Sequence, residues 1–174
     1  NGYNIFDFDG TSSGFLNSLV LNWPNIIGLD VTFLSTRLTA VVILSLIFYL
    51  IFLYFKTELG KFLSLLLITP GIILFSFTGD PDYQHYSSEL LSTLFVVFAL
   101  YGIKKNSFKE SFFNSITFLF LDLIIFSKSQ MVPTALSLFS ASCIYLLFKK
   151  NFKMLIKIFF LFFFPFFIFI SLYF

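Results

Sequence analysis

The chain has 174 residues, of which 58% are hydrophobic and only 11% charged, and its mean hydropathy is +0.94. A soluble domain of this length needs a far larger polar surface, so a soluble enzyme or soluble binding module is excluded. A net charge of +2 gives no footing for a nucleic-acid partner.

The first element is polar. Asn1 to Gly14 carries Asp7 and Asp9, with Gly10 and Gly14 free to turn tightly or to let a ligand approach the backbone. A carboxylate there can take a proton from a hydroxyl or hold a divalent cation. The plainer alternative is a solvated acidic loop, with Asp9 or Thr11 capping a helix. Leu16, Leu19, Val20, Trp23, Ile26 and Ile27 then recur at helical spacing, with Asn17, Ser18, Asn22 and Asn25 between them. This pattern predicts an amphipathic helix lying in a membrane interface, started by Thr11, Ser12 or Ser13, with Trp23 at headgroup depth and Pro24 breaking it.

Six apolar segments follow and are read as membrane-crossing helices. They run from about Val31 to Phe55, Leu59 to Phe77, Pro81 to Ile103, Phe108 to Phe126, Pro133 to Phe148, and Met154 to the last residue, with Pro165 a kink. The expected fold is therefore all-α, a polytopic transmembrane helix bundle. Residues 1–30 form an outer loop with an interfacial helix, and residues 31–174 form one bundle. The polar start at Asn1 and the apolar stop at Phe174 lead to the expectation of further helices on both sides.

The linkers sort by charge. Lys56, Lys61, Lys104, Lys105, Lys109, Lys149, Lys150, Lys153 and Lys157 fall on one side, nine of the eleven basic residues. Arg37 and Lys128 fall on the other, with six of the nine acids: Asp7, Asp9, Asp30, Asp80, Asp82 and Glu89. Positive residues stay cytoplasmic, so the opening segment and the turns near Asp82 and Lys128 share the outer face.

Two further outer segments are candidates for chemistry. Asp80-Pro81 reads as a helix start, which would align Asp82, His85 and Glu89 on one face of two turns. The plain alternative is a hydrated helix end, and one His with two acids is a weak metal signal. Lys128, in Ser127-Lys-Ser-Gln130, and Arg37 are the only outward cations and could neutralise a phosphate ester, or could simply snorkel. Asp122, near the outer end of its span, is a functional candidate or a structural partner of Lys128 or Arg37. Cys143 can form no disulfide within the chain, and thirty Phe are as well explained by genome base composition as by function.

The run Asp7-Phe-Asp-Gly-Thr-Ser-Ser-Gly-Phe-Leu-Asn17, followed by Thr36-Arg37 at the head of a span, resembles the first outer loop of bacterial GT-C membrane glycosyltransferases. The kin in view are the dolichyl-phosphate-mannose protein mannosyltransferase and aminoarabinose transferase group. His85-Tyr-Ser-Ser-Glu-Leu-Leu91, Lys128-Ser-Gln130 and Pro133 are similar to further elements of that group. Phe15 departs from it, standing where a proline is expected.

The resemblance implies an inverting transfer of a sugar from a polyprenyl-phosphate donor to a glycan, lipid or protein acceptor, on the periplasmic side of a bacterial inner membrane. It gives Asp9 or Asp7 the role of general base, with Asp9 preferred because Gly10 beside it admits a substrate; magnesium or manganese held by the two acids is the alternative. Arg37 and Lys128 would neutralise the donor phosphate, with Asp82, His85, Glu89 and Gln130 in substrate binding. The segment alone is expected to be inactive. The competing readings are a transporter or flippase of lipid-linked sugars, and a polysaccharide polymerase or ligase.

Overall fold

The computed structural model describes residues 14–77, 86–106 and 112–173. Among them all regular structure is helical, in the order α1 (Phe15–Leu21), α2 (Trp23–Ile26), α3 (Phe33–Phe77), α4 (Ser88–Asn106), α5 (Phe112–Ser127), a 3-10 turn (Ser129–Met131), α6 (Val132–Phe148) and α7 (Phe152–Tyr173). Two of these stretches are long and apolar enough to span a membrane, Phe33–Phe77 and Ser129–Phe148.

α3 joins the first two apolar segments. Gly60 interrupts it with φ 76° and ψ 170°, a left-handed geometry that glycine adopts without strain. A straight helix would hold Phe48 and Phe75 about 40 Å apart. Their rings instead stand 6.0 Å apart, edge to face, and the backbone at Gly71 lies against Phe48. The chain therefore doubles back at Gly60 into an antiparallel hairpin.

α5 is the hub of the bundle. Thr117, Phe118, Leu121, Asp122, Ile124 and Ser127 are all buried on it, and α4, α6 and α7 pack around it. Its partner faces follow helical spacing: Leu91, Phe95 and Ala99 on α4, Ala135, Phe139, Ser142 and Leu146 on α6, and Met154, Ile158 and Phe162 on α7. The α4–α5 register is set by small residues, as lipid-embedded helices require when dispersion rather than water drives their contact. A Cβ added at Gly102 would meet the Thr117 Oγ1 at 2.1 Å. At the opposite end of the same seam the Ser92 hydroxyl lies 2.7 Å from the Ser127 hydroxyl. Ser127 gives its own proton to the Ile124 carbonyl at 2.8 Å, so Ser92 is the donor.

Glu58 and Lys104 meet at one end of the bundle. The Lys104 ammonium donates to the Tyr54 carbonyl at 2.5 Å, pairs with Glu58 at 3.3 Å and lies 4.3 Å above the Tyr54 ring. The α6–α7 turn closes with Lys150 at φ 53°, the Asn151 amide donating to Leu146 and the Lys150 amide to Leu147. Asn151 then caps α7 by accepting from the Met154 amide at 3.1 Å.

Three features differ from the sequence-based expectation. Pro24 does not break the first amphipathic helix; Asn22 does, and Pro24 sits in the first turn of α2. Trp23 donates its indole N–H to Thr39 at 2.9 Å on α3, so the ring is tied to the bundle rather than to headgroups alone. The third apolar segment begins its helix at Ser88, with Tyr86 and Ser87 non-helical before it. Ser87 is its cap, accepting from the Glu89 amide at 3.2 Å. Asp82 and His85, which the sequence aligns with Glu89, lie outside the described residues.

Gly102→Leu should force α4 away from α5 and destabilise the bundle by about 1–3 kcal/mol. Thermal unfolding of the purified protein in detergent reads this directly, and an unchanged midpoint would show that the seam is not close-packed.

Candidate functional site

The candidate site is a polar junction where the start of α1, the start of α4 and the end of α5 meet. α5 stops at Ser127 because Lys128 turns to extended backbone, φ −158° and ψ 121°, before the 3-10 turn. This frees the Ser127 carbonyl from the helical ladder. Two donors from α1 satisfy it. The Gly14 amide donates to it at 2.9 Å, and so does the Asn17 side-chain amide.

Gly14 is there because nothing larger fits. A Cβ at that position would stand 2.0 Å from the Phe126 carbonyl oxygen, and backbone cannot be moved aside as a side chain can. Asn17, one turn on, is only 2% exposed. Its Nδ2 also donates to the Ser88 carbonyl at 3.2 Å, and its Oδ1 accepts the Tyr86 hydroxyl at 2.5 Å. Residues 71 and 110 positions apart in sequence are thereby joined through one amide. Burial pushes the Tyr86 phenol above its ordinary value, so it remains a donor.

Beside this junction Lys128 is 6% exposed, and its ammonium pairs with Glu89 at 2.7 Å. The pair is one-sided: the Glu89 side chain is 68% exposed while that of Lys128 is enclosed. A buried ammonium requires a counter-charge, whereas an exposed carboxylate can return to water. An enclosed ammonium with an exposed partner is an arrangement that could accept another anion in the carboxylate's place.

The structure joins some of the residues that the sequence singles out and separates others. Lys128 and Glu89 are brought together, and the second apolar face of α1, Leu16 and Val20, packs against the core beside them. Gln130 lies in the 3-10 turn, exposed. Arg37 is half-buried on α3 with its guanidinium carbon 4.3 Å above the Phe33 ring, and its Nε is buried with no hydrogen-bond partner. Asp122 pairs with neither Lys128 nor Arg37: it is 1% exposed on α5 and its Oδ2 has no partner. Asp7, Asp9, Asp82 and His85 lie outside the described residues. Among the described residues, no three His, Cys, Asp or Glu side chains cluster as a metal site. A groove of about 400 Å³ between the two arms of α3, lined by Val41, Phe48, Tyr49, Phe52, Ile68 and Phe75 among others, shares no residue with the junction.

Asn17 was hidden in the sequence. Hydrophobic patterning assigns it to the polar side of an interfacial helix, yet it is the most buried residue of α1. Two signals bore on it: its place on the Leu16–Val20 side of that helix, where an apolar residue would satisfy the pattern, and its place at the end of the Asp7-to-Asn17 run that carries the family resemblance. No protein-family model matches the chain, and neither a curated protein nor a solved structure matches it.

The one-sided pair makes an asymmetric prediction. Glu89→Ala strands the Lys128 ammonium and should lower stability by about 1–3 kcal/mol, whereas Lys128→Met, which leaves only an exposed carboxylate, should stay near wild type. Comparison of their thermal midpoints in detergent checks this; equal losses would mean that Lys128 is solvated.

Proposed function

We propose that this chain is part of a membrane glycosyltransferase of GT-C type, a bundle of about six spans that transfers a sugar from a polyprenyl-phosphate donor to an acceptor at the outer face of a bacterial inner membrane. The observation that carries the reading is the junction itself. Three segments far apart in the chain, each singled out by charge and by family resemblance, converge where Gly14 and Asn17 bond the end of α5 and Lys128 meets Glu89.

Orientation follows from charge. Glu58 and Lys104 are grouped at one end of the bundle and Glu89 and Lys128 at the other, which is how alternating spans divide them. Lysine-rich linkers stay in the cytoplasm, so the Lys128 end faces outward. Covalent connectivity supplies the acid. Asp9 is five residues before Gly14, and five extended residues span at most about 18 Å. His85 directly precedes Tyr86.

In this reading Lys128 exchanges its bond to Glu89 for the phosphate of the donor, and Arg37 adds a second cation. The acceptor oxygen attacks the anomeric carbon as the bond from that carbon to the phosphate oxygen breaks. The leaving polyprenyl phosphate keeps the electron pair, held by the cations. Asp9, or Asp7 in its place, takes the acceptor's proton; a magnesium or manganese ion, if bound, would be held by these two acids and would supply Lewis-acid activation of the hydroxyl. The donor's tail stays in lipid, so the site belongs at the membrane boundary.

One observation favours a second reading. Asp122 is buried within α5 with Oδ2 unpartnered, and an acid inside a span is the mark of a transport pathway. A flippase of lipid-linked sugars would use it; a glycosyltransferase would tolerate its loss.

The test uses the full-length protein in proteoliposomes with a polyprenyl-phosphate sugar and acceptor. Asp9→Asn should reduce sugar transfer by about a thousandfold, as loss of a general base does, with membrane insertion unchanged. If Asp9→Asn and Asp7→Asn both retain full transfer, the catalytic assignment is wrong. If Asp122→Asn alone abolishes translocation of the lipid-linked sugar, the flippase reading replaces it.

A further inference from the structure

The two peptide units that Asn17 grips are not arbitrary. The Ser88 carbonyl belongs to the peptide that leads into Glu89, and the Ser127 carbonyl to the peptide that leads into Lys128. One side-chain amide therefore holds the backbone immediately before each member of the ion pair. The third bond, from the Tyr86 hydroxyl, fixes the residue pair that precedes Ser88.

Each polar atom of the Asn17 side chain is engaged at this junction. Both amide hydrogens are donated, and Oδ1 accepts a hydroxyl. Burying an amide in place of a leucine sacrifices favourable apolar transfer, and it returns direction instead: a leucine could fill this space but could not orient two peptide planes. Gly14 reinforces the arrangement, since its amide shares the Ser127 carbonyl and its own carbonyl accepts the Asn17 amide at 3.0 Å.

We propose that Asn17 is a positioning residue, which sets the separation of Lys128 and Glu89 and so tunes the outer anion site for the phosphate of a lipid-linked donor. Asn17 touches no reacting atom. It acts through the Ser88–Glu89 and Ser127–Lys128 peptides, holding the ammonium close enough to Glu89 to be neutral overall when empty and close enough to the surface to meet a phosphate. The phosphate assignment rests on the glycosyltransferase reading; the positioning does not.

The experiment has two arms on the full-length protein, with Cys143→Ser as background. In the first, spin labels at Ser18→Cys and Gln130→Cys, both exposed positions flanking the junction, report the distance between α1 and the 3-10 turn. In the second, transfer kinetics are measured against donor and acceptor separately. Asn17→Leu should broaden the distance distribution and raise the donor KM by about tenfold, the equivalent of one pKa unit of lost interaction, while leaving the acceptor KM as it was. Tyr86→Phe, which keeps both amide bonds, should shift the donor KM by less than threefold or so.

A merely structural role would instead lower the active fraction, with both KM values unchanged; that outcome, or an unbroadened distance in Asn17→Leu, overturns the proposal. If Asn17→Leu fails to accumulate, Asn17→Ser, whose smaller side chain leaves room for water, is read by the same criteria. If the wild-type protein transfers no sugar, the glycosyltransferase reading falls, and the distance arm alone decides whether Asn17 positions the pair.

Discussion

The carbonyl oxygen of Ser127 is the atom on which the outer end of this molecule depends. A helix ending inside an apolar bundle leaves carbonyls that water cannot reach, and each must find a donor. Here the donors come from the opposite end of the sequence, the Gly14 amide and the Asn17 side chain. Once that requirement is met, much else is constrained. Position 14 must lack a side chain, Asn17 must be buried, and α4 must begin close enough for Ser88 and Tyr86 to complete the amide's bonds. A backbone requirement at one helix end has thereby been turned into a tertiary junction.

The rest of the bundle shows the same economy of polar groups. Ser64, Thr69 and Ser142 return their hydroxyls to carbonyls of their own helices, and Ser92 finds Ser127 across the α4–α5 seam. Lys104 satisfies a carbonyl, a carboxylate and a ring face at once. Against that background two buried side-chain atoms without hydrogen-bond partners among the described residues, Asp122 Oδ2 and Arg37 Nε, stand out. Each belongs to an ionisable side chain in an apolar setting, where an unmet bond is expensive enough to call for a purpose. α3 carries the largest apolar exposure, with Phe62, Leu66, Ile73 and Phe77 all turned outward, as lipid or further helices would require.

The Lys128–Glu89 pair links this architecture to chemistry. A buried ion pair seldom adds much to stability, because desolvation offsets attraction. Its asymmetry gives it another use. In the proposed reading the exposed carboxylate is exchanged for a ligand's anion while the enclosed ammonium stays in place, so no bare charge is left in the bundle. The reading of this site as a donor-phosphate subsite rests on that exchange and on the company it keeps with α1, whose preceding residues include Asp7 and Asp9.

The amino-acid sequence by itself determined the helical class, the apolar segments and the sorting of charge between their ends. These follow from local composition and from the rule that a chain in lipid must pair its backbone internally. It also singled out Lys128 and Glu89 as candidates, because charges at the mouths of apolar helices are conspicuous. It did not determine their pairing, nor the place of Asn17, because both depend on contacts 39 or more residues apart in sequence that no periodicity encodes. Helical spacing also aligned Asp82 and His85 with Glu89; among the described residues, Ser87 caps the helix that carries Glu89. Hydropathy placed Asn17 in water; the tertiary structure buried it, because a single side-chain amide could bond the Ser127 and Ser88 carbonyls and a tyrosine hydroxyl at once.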